Sequence, residues 1–210
     1  MTRIVCLSDT HGSHDHVEVP AGDILIVAGD FCNRGTLVEV RSFNFWLGSL
    51  PHKHKIVVAG NHDWPFERSR LEARKSLSNA RYLEDDEIAV AGLSIYGSPW
   101  QPEFCGWAFN LPRDGWELRR KWEHIPEDLD ILVTHGPPKD ILDMGGYHGP
   151  NHVGCADLAE VVHLRKPRLH VFGHIHTGHG QTTIGDTIFC NVSVVDEHYD
   201  VRWPATVVDL

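Results

Sequence analysis

Ile56-Val57-Val58-Ala59-Gly60-Asn61-His62-Asp63 is a continuous aliphatic run that stops on glycine and passes at once to three polar residues. An unbroken run of this length reads as a strand buried on both faces, as in a sheet covered by helices. The same grammar recurs on either side of it. Ile4-Val5-Cys6-Leu7 ends at Ser8-Asp9, and Ile24-Leu25-Ile26-Val27-Ala28 ends at Gly29-Asp30. Ile131-Leu132-Val133 ends at Thr134-His135-Gly136, and Leu169-His170-Val171-Phe172 ends at Gly173-His174.

Helical patterns fall between these runs. Leu37 to Leu50 places Val40, Phe43 and Leu47 along one face, and Glu67–Leu77 and Cys155–Leu164 read the same way. Strands alternating with helices predict an α/β layered domain. After Gly180 the pattern turns to a hairpin, Thr182-Thr183-Ile184, Gly185-Asp186, Thr187-Ile188-Phe189-Cys190, and Thr206-Val207-Val208 reads as a last strand. Pro99 to Trp122, with Trp100, Trp107, Trp116 and Trp122, reads as a long ordered loop followed by a short helix. Aromatic packing over a sheet edge and an active-site wall both fit its composition.

The chain of 210 residues is expected to form a single domain over 1–210, large enough for a substantial core. It carries a formal charge of -10, which disfavours non-specific nucleic-acid binding. No apolar run has the length of a membrane span, and the start of the chain does not resemble a signal peptide, so a cytoplasmic location is expected. The five cysteines contain no CxxC pair, which argues against a disulfide framework or a thiolate zinc knuckle. The unusual count is 16 histidines.

Candidate ligands stand at the end of every run named above: Asp9, His11, Asp30, Asn61, His135, His174 and His176. Ligand sites in open α/β sheets form at that edge. Extended backbone puts residues i and i+2 on one side, so Asp9 with His11, and His174 with His176, are expected to converge. Glycine before Asp30, Asn61 and His174 permits a bend or a close approach. Asp, Asn and His donors without thiolate suit Mn, Fe, Zn, Co or Ni. Seven donors exceed one four-coordinate ion and suit two metals sharing a carboxylate.

The series Asp9-Thr10-His11, Gly29-Asp30, Gly60-Asn61-His62-Asp63, Thr134-His135 and Gly173-His174-Ile175-His176 resembles the signature of the calcineurin-like metallophosphoesterases. The resemblance spans almost the whole chain. A closer likeness is to the metallophosphoesterase-domain-containing, class III-like phosphodiesterase subfamily. It rests on Gly22-Asp23-Ile24-Leu25 leading to Ala28-Gly29-Asp30-Phe31, on Phe43-Asn44-Phe45-Trp46-Leu47-Gly48 and on Lys55 through His62. Tyr96-Gly97-Ser98-Pro99-Trp100, Thr134-His135-Gly136-Pro137-Pro138 and His170 through His176 complete it.

The resemblance implies a sandwich of two mixed β-sheets flanked by α-helices. It implies that Asp9, His11, Asp30 and His176 hold one metal and Asp30, Asn61, His135 and His174 the second, with Asp30 bridging. Some animal members of the subfamily carry glycine at the position of His174. This chain keeps histidine, so the full two-metal site is expected, with Mn the expected ion in vitro. Two divalent ions bring about four positive charges, and Asp9 and Asp30 remove two, leaving roughly +2 for a phosphate. A metal-bridging hydroxide would then attack phosphorus. His62 resembles the family's near-site histidine, protonating the leaving oxygen or binding phosphate, with Asp63 orienting its imidazole or else capping the turn.

Asn33 and Arg34, directly after Asp30, are candidate substrate contacts, and Asn191 is open between supporting a ligand and shaping a turn. His148 and His152 are candidate wall residues, while His14, His16, His52, His54 and His179 lack an ordered motif. The function expected is metal-dependent hydrolysis of small nucleotide-like phosphodiesters, with cyclic nucleotides as plausible substrates. The alternatives are a phosphomonoesterase or nucleotidase, or a nucleotide-binding scaffold with little turnover; a DNA nuclease is disfavoured. A small phosphate ester is the expected partner, without a membrane, and a homodimer is left open.

Overall fold

Each long aliphatic run is a strand with both faces covered, and the alternation of side chains along it explains the layers. In the computed structural model, which describes residues 1–145 and 151–210, the first half runs β1 (Arg3–Leu7), β2 (Ile24–Ala28), α1 (Leu37–Ser49) and β3 (His54–Val58), then α2 (Trp64–Arg68), α3 (Arg70–Ser76) and β4 (Arg81–Tyr82). A hairpin of β5 (Asp86–Val90) and β6 (Leu93–Ser98) follows. Next come the small parallel ribbon of β7 (Gln101–Pro102) and β8 (Asn110–Leu111), α4 (Trp116–Glu123) and β9 (Ile131–Thr134). The chain closes with β10 (Met144–Gly145), β11 (Asn151–His152), α5 (Ala156–Arg165), β12 (Leu169–Phe172), β13 (Gly180–Ile184), β14 (Thr187–Asn191) and β15 (Thr206–Asp209).

Two mixed sheets result, in the orders β15-β1-β2-β3-β4 and β13-β14-β12-β9-β6-β5. Ile4, Cys6, Ile24, Ile26, Ile56 and Val58 of the first sheet pack with Ile95, Ile131, Val133, Leu169 and Val171 of the second, forming the inter-sheet core. The alternate residues Val5, Leu7, Leu25, Val27 and Val57 face outward, onto Val40, Phe43 and Leu47 of α1 and Phe66 of α2. On the other side Leu132, Phe172 and Phe189 meet Leu118 and Trp122 of α4 and Leu158 and Val162 of α5. This is the expected two-sheet sandwich flanked by helices. No described helix is long and apolar enough to cross a membrane.

Two local readings change. The helix expected over Glu67–Leu77 begins earlier and is broken in two at Ser69, where φ is -135° and the helical backbone cannot continue. The β5–β6 hairpin went unforeseen because its turn is Ala91-Gly92, with positive φ at both residues; alanine there hides the usual turn signal. The Trp-rich stretch ends in the expected short helix, α4, and its aromatics divide between the two readings. Trp122 is buried under α5, Trp100 Nε1 donates to Asp85 at 2.8 Å, Trp107 reaches the site, and Trp116 is exposed.

The start of α1 has a consequence for the site. Thr36 and Glu39 form a capping box, and Glu39 Oε1 also accepts from the backbone of Asn33 and Arg34 at 3.0 and 2.9 Å. The helix cap thereby fixes the loop that follows Asp30.

Candidate metal centre

The five strand ends that close on polar residues meet at one edge of the sandwich. Asp9 follows β1, Asp30 follows β2, Asn61 and His62 follow β3, His135 follows β9, and His174 and His176 follow β12. All seven expected ligands are brought together. Asp9, His11 and His176 form one cluster with donor atoms within 4.8 Å of one another, and Asp30, His135 and His174 form another. Asn61 Oδ1 lies 2.9 Å from His135 Nε2, which adds it to the second cluster.

The chain converges by a route other than the extended backbone expected. Asp9, His11, Asp30 and His174 all have positive φ, between 44° and 68°. Left-handed backbone is costly for these residues and persists only where the surroundings over-determine it. Here the loops lock one another. Asp9 N donates to Gly29 O at 3.0 Å, His11 N to Asp30 O at 2.9 Å, and His174 N to Asp9 Oδ2 at 2.9 Å. The approach is close enough to demand glycine. A Cβ on Gly173 would run into Asp9 Oδ2 and Ser8 Oγ, and one on Gly60 into Asp30 Oδ1.

Two of the histidines are oriented by their second nitrogen. His135 Nδ1 donates to Ala28 O at 2.8 Å and His176 Nδ1 to Asp196 O at 3.0 Å, leaving Nε2 of both for the site. Asp30 Oδ1 accepts from His62 N at 2.8 Å, leaving Oδ2 at 3.9 Å from His11 Nε2 and 3.4 Å from His135 Nε2. His11 Nε2 and His176 Nε2 face each other at 3.3 Å, and His176 Nε2 is 3.7 Å from Asp9 Oδ1.

Donors bonded to one ion at about 2.1 Å sit about 3.0–3.4 Å apart when adjacent and about 4.2 Å apart when opposite. The observed separations, 2.9 to 4.0 Å, fall close to that window. The Asp, Asn and His donor set therefore fits divalent metal ions.

The charges point the same way. Burial opposes ionisation throughout, yet His176 and His135 bring Asp9 down to about 2. Asp30 is lowered further, against burial, chiefly by His135. In return His135 rises to about 9, as Asp30 and then Asp9 outweigh its burial, and His176 also rises. Burial wins at His11 and His174, which fall to about 4 and about 3 and so present neutral imidazoles. Two buried carboxylates thus draw positive charge to two places.

Other candidates fall out differently. Asp63 does not orient the His62 imidazole. Its carboxylate is fully buried and accepts from the backbone N–H of Gly60, Asp30 and Cys32 at 2.7, 2.9 and 2.9 Å, which ties together the two loops that carry Asp30 and Asn61. Burial, then the charge of Asp30, raises its pKa to about 7. The His62 ring is oriented instead by Asn33 O, which accepts from Nδ1 at 2.8 Å, and by Trp107, stacked on it at 4.3 Å. Asn33 and Arg34 do not line the cleft over the site; Asn33 reaches the His62 ring through its carbonyl.

Asn191 supports the ligand loop. It is buried, and Nδ2 donates to Ile175 O, between His174 and His176, at 2.9 Å. His152 is not among the residues that line the cleft over the site, and its Nδ1 is 2.6 Å from Asp143 Oδ1. His148 lies outside the described residues. His14 and His52 are buried, His14 against Phe43 and Trp46, and His179 stacks on Trp203.

Above the ligands opens a cleft of about 1050 Å³, walled by Phe104, Trp107, Arg113 and Tyr199 among others. Tyr199, with φ +66°, lies edge-on to His11 at 4.7 Å and to His176 at 5.1 Å. Its loop is held by Asp196, whose carboxylate accepts from His198 N, Asp200 N and Arg202. These residues lie outside the ligand motifs. The only sequence hint was the aromatic and prolyl character of 99–122, which pointed at Trp107.

Comparison with known proteins agrees with the geometry. The chain matches the Calcineurin-like phosphoesterase family over residues 2–178. It is 46% identical over 233 residues to human Metallophosphoesterase domain-containing protein 1, covering 100% of this chain and 71% of that protein. It is 39% identical to a UPF0046 protein of Caenorhabditis elegans, covering 99% of this chain and 60% of the worm protein. In fold it resembles the solved structure of TT1561 of Thermus thermophilus, with a TM-score of 0.62, 18% identity, and 90% and 88% of the two chains covered. With its candidate ligands assembled at the strand ends and these matches spanning the chain, the protein belongs to the calcineurin-like phosphoesterase family.

Proposed function

We propose that this protein is a dinuclear metal-dependent phosphodiesterase for small, nucleotide-like esters, cyclic nucleotides among the substrates to be tested. The observation that carries this reading is the place of Asp30. Its Oδ2 stands between His11 Nε2, at 3.9 Å, and His135 Nε2, at 3.4 Å. One carboxylate oxygen is therefore available to both ligand clusters. Asp9, His11, Asp30 and His176 would hold the first ion, and Asp30, Asn61, His135 and His174 the second. Divalent ions held there, with Mn the first choice in vitro among Mn, Fe, Zn, Co and Ni, would supply Lewis acidity for the attacking water and positive charge for the phosphoryl oxygens.

The chain's own groups do the rest. His62 lines the cleft with Nδ1 committed to Asn33 O, which leaves Nε2 to exchange a proton with the leaving oxygen. Trp107 holds the plane of that ring. Phe104, Trp107 and Tyr199 supply apolar wall for a base or another planar group. His62 also lies within 4.8 Å of His11 and Asp30 donor atoms, so metal content of a His62→Ala variant separates a proton-transfer role from a ligand role.

The test uses chromogenic phosphodiester and phosphomonoester substrates with Mn²⁺, before and after chelation. Diester hydrolysis that disappears with chelator and returns with Mn²⁺ is the expected result. Faster monoester than diester hydrolysis would move the protein to the phosphomonoesterases. Failure to hydrolyse any ester with both ions bound would end the enzymatic reading in favour of a nucleotide-binding scaffold.

A further inference from the structure

Beside the metal cleft lies a second cavity of about 700 Å³, lined by Arg113, Arg119, Lys139 and His152 and by the first residues of two helices, Gly115 and Trp116 at α4 and Ala156 and Asp157 at α5. The two spaces are continuous in their lining. Arg113, Val153 and Gly154 belong to both.

The chemistry of this cavity departs from that of the molecule around it. The chain carries a net -10, yet the cavity wall holds Arg113, Arg119 and Lys139 against the carboxylates Asp114 and Asp157. Among the described residues no carboxylate pairs with Arg113; its Nη1 donates to the uncharged Gly154 O at 3.0 Å. No ion pair within 4.0 Å or side-chain hydrogen bond engages the exposed Lys139 among the described residues. Arg119 is loosely paired, 3.6 Å from Glu160 Oε2. The start of α4 has no side-chain cap, but Glu117 in its first turn offsets the positive end of its backbone dipole, so the basic side chains carry the field. Guanidinium groups with unused donors, and an ammonium with no ion pair among the described residues, make a phosphate-binding chemistry.

We infer that Arg113, Arg119 and Lys139 form a subsite for a second phosphate carried by the substrate, additional to the ester cleaved at the metal centre. The inference rests on the phosphodiesterase reading and narrows it. It favours substrates with two anionic groups, such as a nucleoside with phosphates on both ends of its sugar, over a cyclic mononucleotide with one. Arg113, standing on the ridge between the cavities, is the residue placed to touch both groups.

A matched pair of probes tests this: thymidine 5′-(p-nitrophenyl phosphate) and the same molecule bearing a 3′-phosphate. Their reacting esters are identical. For the wild-type protein, kcat/KM is expected to favour the 3′-phosphorylated probe by roughly tenfold or more, through KM. That ratio is expected to fall towards one in the Lys139→Ala, Arg119→Ala double variant. Because each variant is read against itself with both probes, a general loss of fold cancels from the ratio.

Calorimetric binding of thymidine 3′,5′-bisphosphate against thymidine 5′-monophosphate to the Mn²⁺-loaded protein gives the same comparison without turnover. Preference for the bisphosphate in the absence of any hydrolysis upholds the subsite and removes the enzymatic reading. Hydrolysis with no preference in either assay, or a preference that survives the double variant, overturns the subsite alone. Inorganic phosphate that tightens binding of the monophosphate, with no preference for the bisphosphate, marks a free-anion site and also overturns it.

Discussion

Asn191 offers the sharpest test of how the ligand loop is held. The residue closes β14, and its amide makes three bonds: Nδ2 donates to Ile175 O at 2.9 Å and to Leu142 O at 3.1 Å, and Oδ1 accepts from Ser193 N at 3.2 Å. Replacing it with alanine leaves two carbonyls and one amide without those partners in a fully buried place. At about 0.5–1.5 kcal/mol for each neutral bond, the loss is about 2–4 kcal/mol. For a chain of this size that lowers Tm by roughly 4–15 °C. The bond to Ile175 lies between two ligands, so Mn²⁺ affinity is also expected to fall by roughly 10–100-fold. Urea unfolding of the metal-free protein reads the first effect, and calorimetric titration with Mn²⁺ reads the second. Loss of stability with unchanged Mn²⁺ affinity would refute the claim that Asn191 positions the ligands, and no loss of either would refute the hydrogen-bond account altogether.

His62→Ala is expected to lower diester turnover by roughly 10²–10⁴-fold while bound metal stays at the wild-type level; metal loss in step with activity would make His62 a ligand. Asp63→Ala should behave in the opposite way. It strands the N–H groups of Gly60, Asp30 and Cys32, so stability drops by about 3 kcal/mol or more and metal content falls with it, a pattern that elemental analysis beside urea unfolding would reveal or deny. His170 sets a pH limit on stability. Burial lowers its pKa to about 3 from an ordinary 6.5, so the unfolded chain binds more protons between those values and stability falls as pH falls. Between pH 8 and pH 5 its contribution drops by about 2 kcal/mol. Metal-free His170→Leu should lose less over that interval than wild type, and equal losses would contradict the assignment.

The layered fold was legible because burial on both faces leaves a mark in composition. Ile24 through Ala28 contains no polar residue since alternate side chains serve the inter-sheet core and the α1 layer. The candidate ligands were legible because each one stands within a few residues of the end of such a run. Their route of convergence was not. Positive φ at Asp9, His11 and His174 follows from contacts between loops far apart in sequence, and no spacing rule within one loop encodes it. Asp63 misled for a related reason. Adjacent to His62 in the chain, it turns inward to three backbone amides, while the group that orients His62 comes from Asn33, 29 positions earlier. Tyr199, Arg113 and Asp196 owe their places to tertiary packing, and residue type alone did not single them out. Asn191 was ambiguous by itself because its role depends on Ile175, which only the folded chain places beside it.

The central claim is that Asp30 joins two metal positions. The most direct measurement is the metal content of protein loaded with Mn²⁺ and desalted, for wild type and for Asp30→Ala. Two ions per chain in wild type, and no more than one in Asp30→Ala, is the expected result. A single ion in fully loaded wild type, or two ions retained without the Asp30 carboxylate, would contradict it.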